Sequence, residues 1–304
     1  MTGAARLVVE ADPRLAEAIR GLARQRMVFF AGLPGTGKSL LVHQLTHLAA
    51  NAGRSVHLLQ WDVARPAFEA SAAGRRYPLA DSVTHPVIRK AAGLWARRAL
   101  VAWDERYQDP RRLLIGETPF VGNRFVELAR QLDDAAEALL TGPSCRFVIA
   151  VPSREVRRYL EAERERRAAS PLHPREREDA PPRVLRDLWR ELAALARHLG
   201  ISAPGGGPAG ERDGPGNAVD DGVEPYDPVA YARVYETVLR HRNVEIAALD
   251  TVLPTEHLSV YDFAGAPPDL APTEAEADEF IREIERRYPD TAALDREIAR
   301  WWEV

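Results

Sequence analysis

Gly32-Leu33-Pro34-Gly35-Thr36-Gly37-Lys38-Ser39 satisfies G-x-x-x-x-G-K-[ST] at every position. Three glycines let a backbone curl into a concavity of N–H groups with no Cβ in the way of a polyphosphate. A helix opening directly behind them adds its unpaired N–H groups and the positive end of its dipole. Gly32, Pro34, Gly35, Thr36, Gly37, Lys38, Ser39 and Leu40 are thus the expected phosphate contacts, with Lys38 reaching the outer phosphates and Ser39 ligating Mg²⁺. Lys38 and Lys90 are the two lysines of an arginine-rich chain, and one of them falls where an arginine would not do the same job.

Further chemistry is expected where strands end, because ligands of parallel sheets sit at the carboxyl ends of the strands. Asp62 follows the apolar run Ser55 to Trp61 and is placed to take a proton from an attacking hydroxyl. Arg65, three residues on, would hold a polar or anionic group of that acceptor. Glu117 closes the run Arg112 to Gly116 and, with Ser39, is the candidate to manage a magnesium ion. Asn123 and Arg124 follow at an expected helix start, and Arg124 would face substrate. His85 and Arg89 lie on a helix between the second and third strands, where an acceptor pocket would be built. Arg154, Arg157 and Arg158 are natural donors to the charge that develops on a transferring phosphoryl group. His43 and His47 are spaced i,i+4, but Gln44 stands where a zinc-protease helix needs Glu, which argues against a metal there. His257 and Tyr261 are weaker candidates to border a nucleotide base.

The elements that must position these groups follow from periodicity. Asp12-Pro13 caps a helix carrying Leu15, Ile19 and Leu22. Met27 to Ala31 has the length and phenylalanine content of a buried strand, and Leu41, Leu45 and Leu48 mark the helix behind the glycine loop. Strands are expected at Ser55 to Trp61, Arg112 to Gly116, Arg146 to Val151 and Val244 to Leu249. Helices are expected over Thr84 to Trp103, with Trp95 on its core face, and from Phe125 through Leu139. Others run along Leu185 to Leu199, from Asp227-Pro228 through Val238, and twice in the tail from Thr273. Residues 153–183, dense in arginine and glutamate, read as a solvated helix or a lid. Residues 202–224, rich in Gly, Pro and Asp, read as a flexible loop. Alternation of strands with helices predicts a three-layer α/β domain with a parallel sheet.

Composition sets outer bounds. Hydrophobic residues make up 45% and charged residues 28%, ordinary for a soluble globular chain, and 304 residues suffice for one large domain or two small ones. A formal net charge of −4 supplies no bulk attraction to nucleic acid or anionic membrane. The single Cys145 leaves no disulfide framework or cysteine zinc site within the chain and reads as a small buried hydrophobe. With no apolar leader and no 18-residue apolar stretch, no membrane association and a cytoplasmic location are expected.

The glycine loop, Asp62-x-x-Arg65, the acidic third-strand end and the arginine-rich segment after the fourth strand together resemble the P-loop kinases. The branch concerned contains nucleoside monophosphate kinases, polynucleotide 5′-kinases and small-molecule phosphotransferases. The resemblance covers roughly residues 24–262, and the phosphate loop is its specific part. It implies ATP as donor, Mg²⁺, a P-loop NTPase fold with a five-stranded parallel sheet, and a lid over the phosphates. Carried over, residues 1–262 form the kinase-like domain, with 64–110 binding the acceptor, and 263–304 form a C-terminal helical extension. Lys38, Asp62, Arg154 and Arg158 would then be catalytic, and Arg65, Arg89 and Arg124 would bind substrate. Gly116-Glu117-Thr118-Pro119 departs from the Asp-Gly-Phe-Pro-Arg of adenylate kinases, which speaks against a nucleoside monophosphate acceptor. The favoured expectation is phosphoryl transfer to a hydroxyl of a small metabolite or nucleoside, ahead of an RNA or DNA end. A regulatory ATPase is a rival, disfavoured because Gly116 precedes Glu117 where such proteins carry Asp. A nucleotide-sensing module contacting a partner through Trp301 and Trp302 is a third reading.

Overall fold

A computed structural model describes residues 7–80, 83–201 and 225–304. The expected flexible loop, 202–224, lies outside the described residues. Five strands, β1 (Met27–Ala31), β2 (Ser55–Gln60), β3 (Arg112–Thr118), β4 (Cys145–Pro152) and β5 (Val244–Leu249), form one sheet. Every pairing is parallel and the order is β2-β3-β1-β4-β5.

β1 sits at the centre, which explains its composition. All five of its residues are buried, because both of its edges are paired and both of its faces are covered. Val28 and Phe30 face one helical layer, while Met27, Phe29 and Ala31 face the other, as the period of two requires. The first layer holds α1 (Pro13–Leu22) and α2 (Lys38–Asn51). The second holds α3 (Trp61–Ala70), α4 (Pro86–Arg106) and α5 (Ala135–Thr141). α6 (Arg154–Ala169) then leads to α7 (Pro182–His198) and α8 (Pro228–Val238), which join that second layer. The connection from β1 therefore leaves over one face and the connection from β3 over the other. Their carboxyl ends flank the crevice where such sheets place ligands.

Packing also accounts for Gly116, where an Asp might have stood. A Cβ there would lie 2.3 Å from the Phe29 ring, which stacks on Phe147 at 4.9 Å between centroids. A side chain at 116 would have to displace the Phe29 ring, whose burial contributes about 1.5–3 kcal/mol.

The tail completes the second layer. Helices α9 (Glu274–Arg287) and α10 (Thr291–Ala299) bury Phe280, Ile281, Ile284, Leu294 and Ile298 in the same core as α4. Lys90 of α4 pins α10 through Glu297 at 2.6 Å and the 126–128 turn through Glu127 at 3.0 Å. Trp301 is only 6% exposed, and Trp302 packs against the same core. Trp301 is thus a core residue, while Trp302 stays half-buried at the edge of that core.

One expected helix is also corrected. Phe125 through Leu139 is not a single helix: a short 3-10 turn spans Val126–Leu128, and α5 begins at Ala135, capped by Asp134. Asn123 and Arg124 do not start a helix either. Phe120, Asn123 and Phe125 take φ values of 58°, 61° and 62°, a coiled path whose buried Phe and Leu residues imitate helical spacing.

Candidate functional site

The glycine loop joins the end of β1 to the start of α2. Gly37 is the α2 N-cap at φ 87°, and no side chain caps the helix. The N–H groups of Gly35, Thr36, Gly37, Lys38 and Ser39 find no acceptor among the described residues. Free N–H groups together with the positive end of a helix dipole favour an anion at such a position.

The loop's outer wall is fixed by distant elements. Leu33 N–H donates to the Tyr231 hydroxyl at 3.2 Å, and the Thr36 hydroxyl donates back to Leu33 O at 2.8 Å. Leu185 of α7 presses on Gly35 and Leu249 of β5 on Gly37, each 2.7 Å from where a Cβ would stand. Any larger residue at either position would push the loop off its wall. Pro34 contributes its carbonyl to this frame, and Leu40 points its side chain into the core, leaving only its N–H for a ligand.

Lys38 is 3% exposed. Its Nζ donates to Leu33 O at 2.8 Å and lies 3.5 Å from Glu117 Oε1. Burial pushes its pKa below the usual lysine value, and Glu117 and Asp62 only partly restore it, with Arg164 acting against them. The Ser39 hydroxyl is 3.5 Å from both Glu117 carboxylate oxygens, long for an O–H···O bond. Glu117 pairs in register with Phe30 of β1 and Gln60 of β2, which holds it beside the loop's exit.

Asp62 does not close β2, which stops at Gln60; it sits in the first turn of α3, where the helix dipole favours a carboxylate. Its charge acts on both Lys38 and Arg124. Burial lowers the Arg124 pKa, with Asp62 and Glu191 opposing and Arg65 reinforcing the shift. Arg65 itself is held by Glu69 at 3.1 Å. Arg89 donates to Thr84 O and Gly122 O, both at 2.7 Å, which ties α4 to the 121–124 turn.

Within the arginine-rich segment the structure separates the candidates. Arg157 is 2% exposed and donates to Pro34 O, Gly35 O and Leu185 O at 3.3–3.4 Å, so it is the arginine that touches the loop. Arg154 is exposed and donates to Tyr226 O, and Arg158 lines the same open recess as Arg154, with Asp227 and Asp250. Neither contacts the loop, whereas Arg164 is close enough to depress Lys38.

His43 and His47 lie 3.1 Å apart, Nε2 to Nε2, each also near Asp262 O. Gln44 accepts from Val9 N–H with its Oε1, so its amide nitrogen faces His43 Nδ1. That assigns the His43 proton to Nε2, where a metal would have to bind. Burial lowers the His43 pKa to about 4. His43, neutral and packed against His47, is thus part of a latch onto the 259–263 segment. Tyr261 donates to Asp179, and His257 is exposed.

Tyr231, Leu185, Arg157 and Arg164 complete the site. A signal for the arginines existed: Val156 and Leu160, the scarce apolar anchors of α6, share a helical face with 157 and 164. Tyr231 gave none, since its partner lies 198 residues away.

No family model, curated protein or solved structure matches this chain.

Proposed function

We propose that this protein is an ATP- and Mg²⁺-dependent kinase of the P-loop type, transferring the γ-phosphoryl group to a hydroxyl of a small molecule. The observation that carries this reading is the run of unpaired N–H groups from Gly35 to Ser39, ending at a buried and under-neutralised Lys38. A polyphosphate supplies both acceptors for the N–H groups and countercharge for the lysine.

Ser39 and Glu117 are the groups that would hold magnesium, and their 3.5 Å separation leaves each carboxylate oxygen without a close hydroxyl donor. The ion would neutralise charge on the phosphate oxygens. Lys38 stabilises the same oxygens from the loop side. Asp62 accepts the proton of the attacking hydroxyl and, facing Arg124, stays beside the acceptor. Arg157 acts on the loop through its carbonyls and so shapes the cradle. The P-loop reading draws further support from a central β1, with connections that part over opposite faces of the sheet.

The test is transfer of γ-labelled phosphate from MgATP to a panel of hydroxylated metabolites, nucleosides and 5′-hydroxyl oligonucleotides. Label on one class of small acceptor is the expected result. Slow hydrolysis that no acceptor changes would instead favour a regulatory ATPase.

A further inference from the structure

A cavity of about 420 Å³ opens between α4, the 121–122 turn, α7 and the C-terminal tail. Its walls include Arg89, Glu191, Asp295, Trp301 and Trp302. The volume falls in the range of small-molecule sites, roughly 300–1,000 Å³.

The cavity adjoins the acceptor side of the site. Gly122 forms part of its wall, and Arg124, two residues on, responds electrostatically to both Asp62 and Glu191.

The charges on the walls are unequally satisfied. Arg89 spends its Nε and Nη1 on the carbonyls of Thr84 and Gly122 and serves as frame. Glu191 and Asp295 make no ion pair at bonding distance among the described residues. Trp301 and Trp302 meet edge to face, at 6.2 Å and 85°, and offer a concave aromatic corner beside them. Glu191 acts on Arg124, and Asp295 on Arg89 and His85, but neither carboxylate has a bonded partner among the described residues, and beside the indoles the pair suits an organic ammonium. The corner does not drift, because α10 is pinned by Lys90, Arg130 and Tyr288 through Glu297.

We propose that this cavity is the acceptor site and that the acceptor is a small hydroxylated amine, its ammonium held by Glu191, Asp295 and the tail indoles and its hydroxyl directed to Asp62. This rests on the kinase reading above. In the transfer step the hydroxyl oxygen forms a bond to the γ-phosphorus, the bond to the β,γ-bridging oxygen breaks, the hydroxyl proton passes to Asp62, and ADP leaves.

The experiment is titration calorimetry of the full chain with amino sugars, aminocyclitols and amino alcohols. N-acetylated counterparts and nucleosides are titrated alongside, and a non-hydrolysable ATP analogue is titrated separately. Amines are expected to bind, with N-acetylation and the Glu191→Gln/Asp295→Asn double substitution each weakening them about tenfold or more, roughly 1.4 kcal/mol. Both carboxylates are exposed, so the variant should fold, and its thermal midpoint checks this. Equal binding of N-acetylated compounds, binding of nucleosides alone, or no effect of the double substitution would each overturn the assignment. If the ATP analogue binds and no amine does, the inference fails and the kinase reading stands. If amines bind and the analogue does not, the amine site stands but its role as an acceptor site fails together with the kinase reading.

Discussion

Lys38 and Lys90 are equally buried, each 3% exposed, yet their surroundings treat them in opposite ways. Burial is the largest influence on both and opposes their charge. At Lys90 it is overcome by Glu127 at 3.0 Å and Glu297 at 2.6 Å, and the pKa ends above the ordinary value. At Lys38 a single carboxylate stands off at 3.5 Å, and the pKa ends below it. A buried cation with its anions already in place is structural. On the kinase reading proposed above, one left short of anions, beside free N–H groups, would receive them from the phosphates.

The same substitution at both lysines breaks the comparison if it is wrong. Lys38→Met should cut phosphoryl transfer about a thousandfold, the scale of losing a preorganised electrostatic contact, with little effect on urea stability. Asp62→Asn should cut transfer about a hundredfold or more while nucleotide affinity, read by titration, changes little. Lys90→Met should reverse the pattern, costing about 3 kcal/mol in urea unfolding because Glu127 is left buried and unpaired.

Alkaline pH sharpens the contrast. The raised Lys90 pKa stabilises the fold fully below the unfolded value of 10.5 and is lost as pH rises past it. The lowered Lys38 pKa penalises the fold below its folded value, and the penalty is relieved as pH climbs to 10.5. The stability of the native chain relative to Lys90→Met should therefore fall above pH 10.5, whereas relative to Lys38→Met it should rise as pH climbs towards 10.5. The smallest effect is acidic. Burial alone would raise the Glu297 pKa, but hydrogen bonds from Lys90 and Tyr288 hold it down to about 2. Its contribution is full above the ordinary 4.5 and lost as pH falls towards 2, so tryptophan fluorescence should report a tail transition there that Glu297→Gln lacks.

Much of this architecture was legible because local signals agreed with the global fold. Strand lengths, the Asp-Pro helix caps and the glycine loop each carry their own chemistry within a few residues. Strand order was not legible, since it depends on which face each crossover takes. The 120–130 stretch misled because Phe and Leu residues at helical spacing sit on a coil whose left-handed turns at Phe120, Asn123 and Phe125 are held by tertiary packing. At the site, the loop and its lysine announced themselves. Choosing Arg157 over Arg154 and Arg158 required the phase of α6, and Tyr231 required the fold.

The most direct test of the central claim is titration calorimetry of MgATP against the native chain and Lys38→Met. The account predicts saturable binding by the native protein, weakened about tenfold or more by the substitution. Equal affinity in the two proteins, or no binding by the native chain, would contradict it.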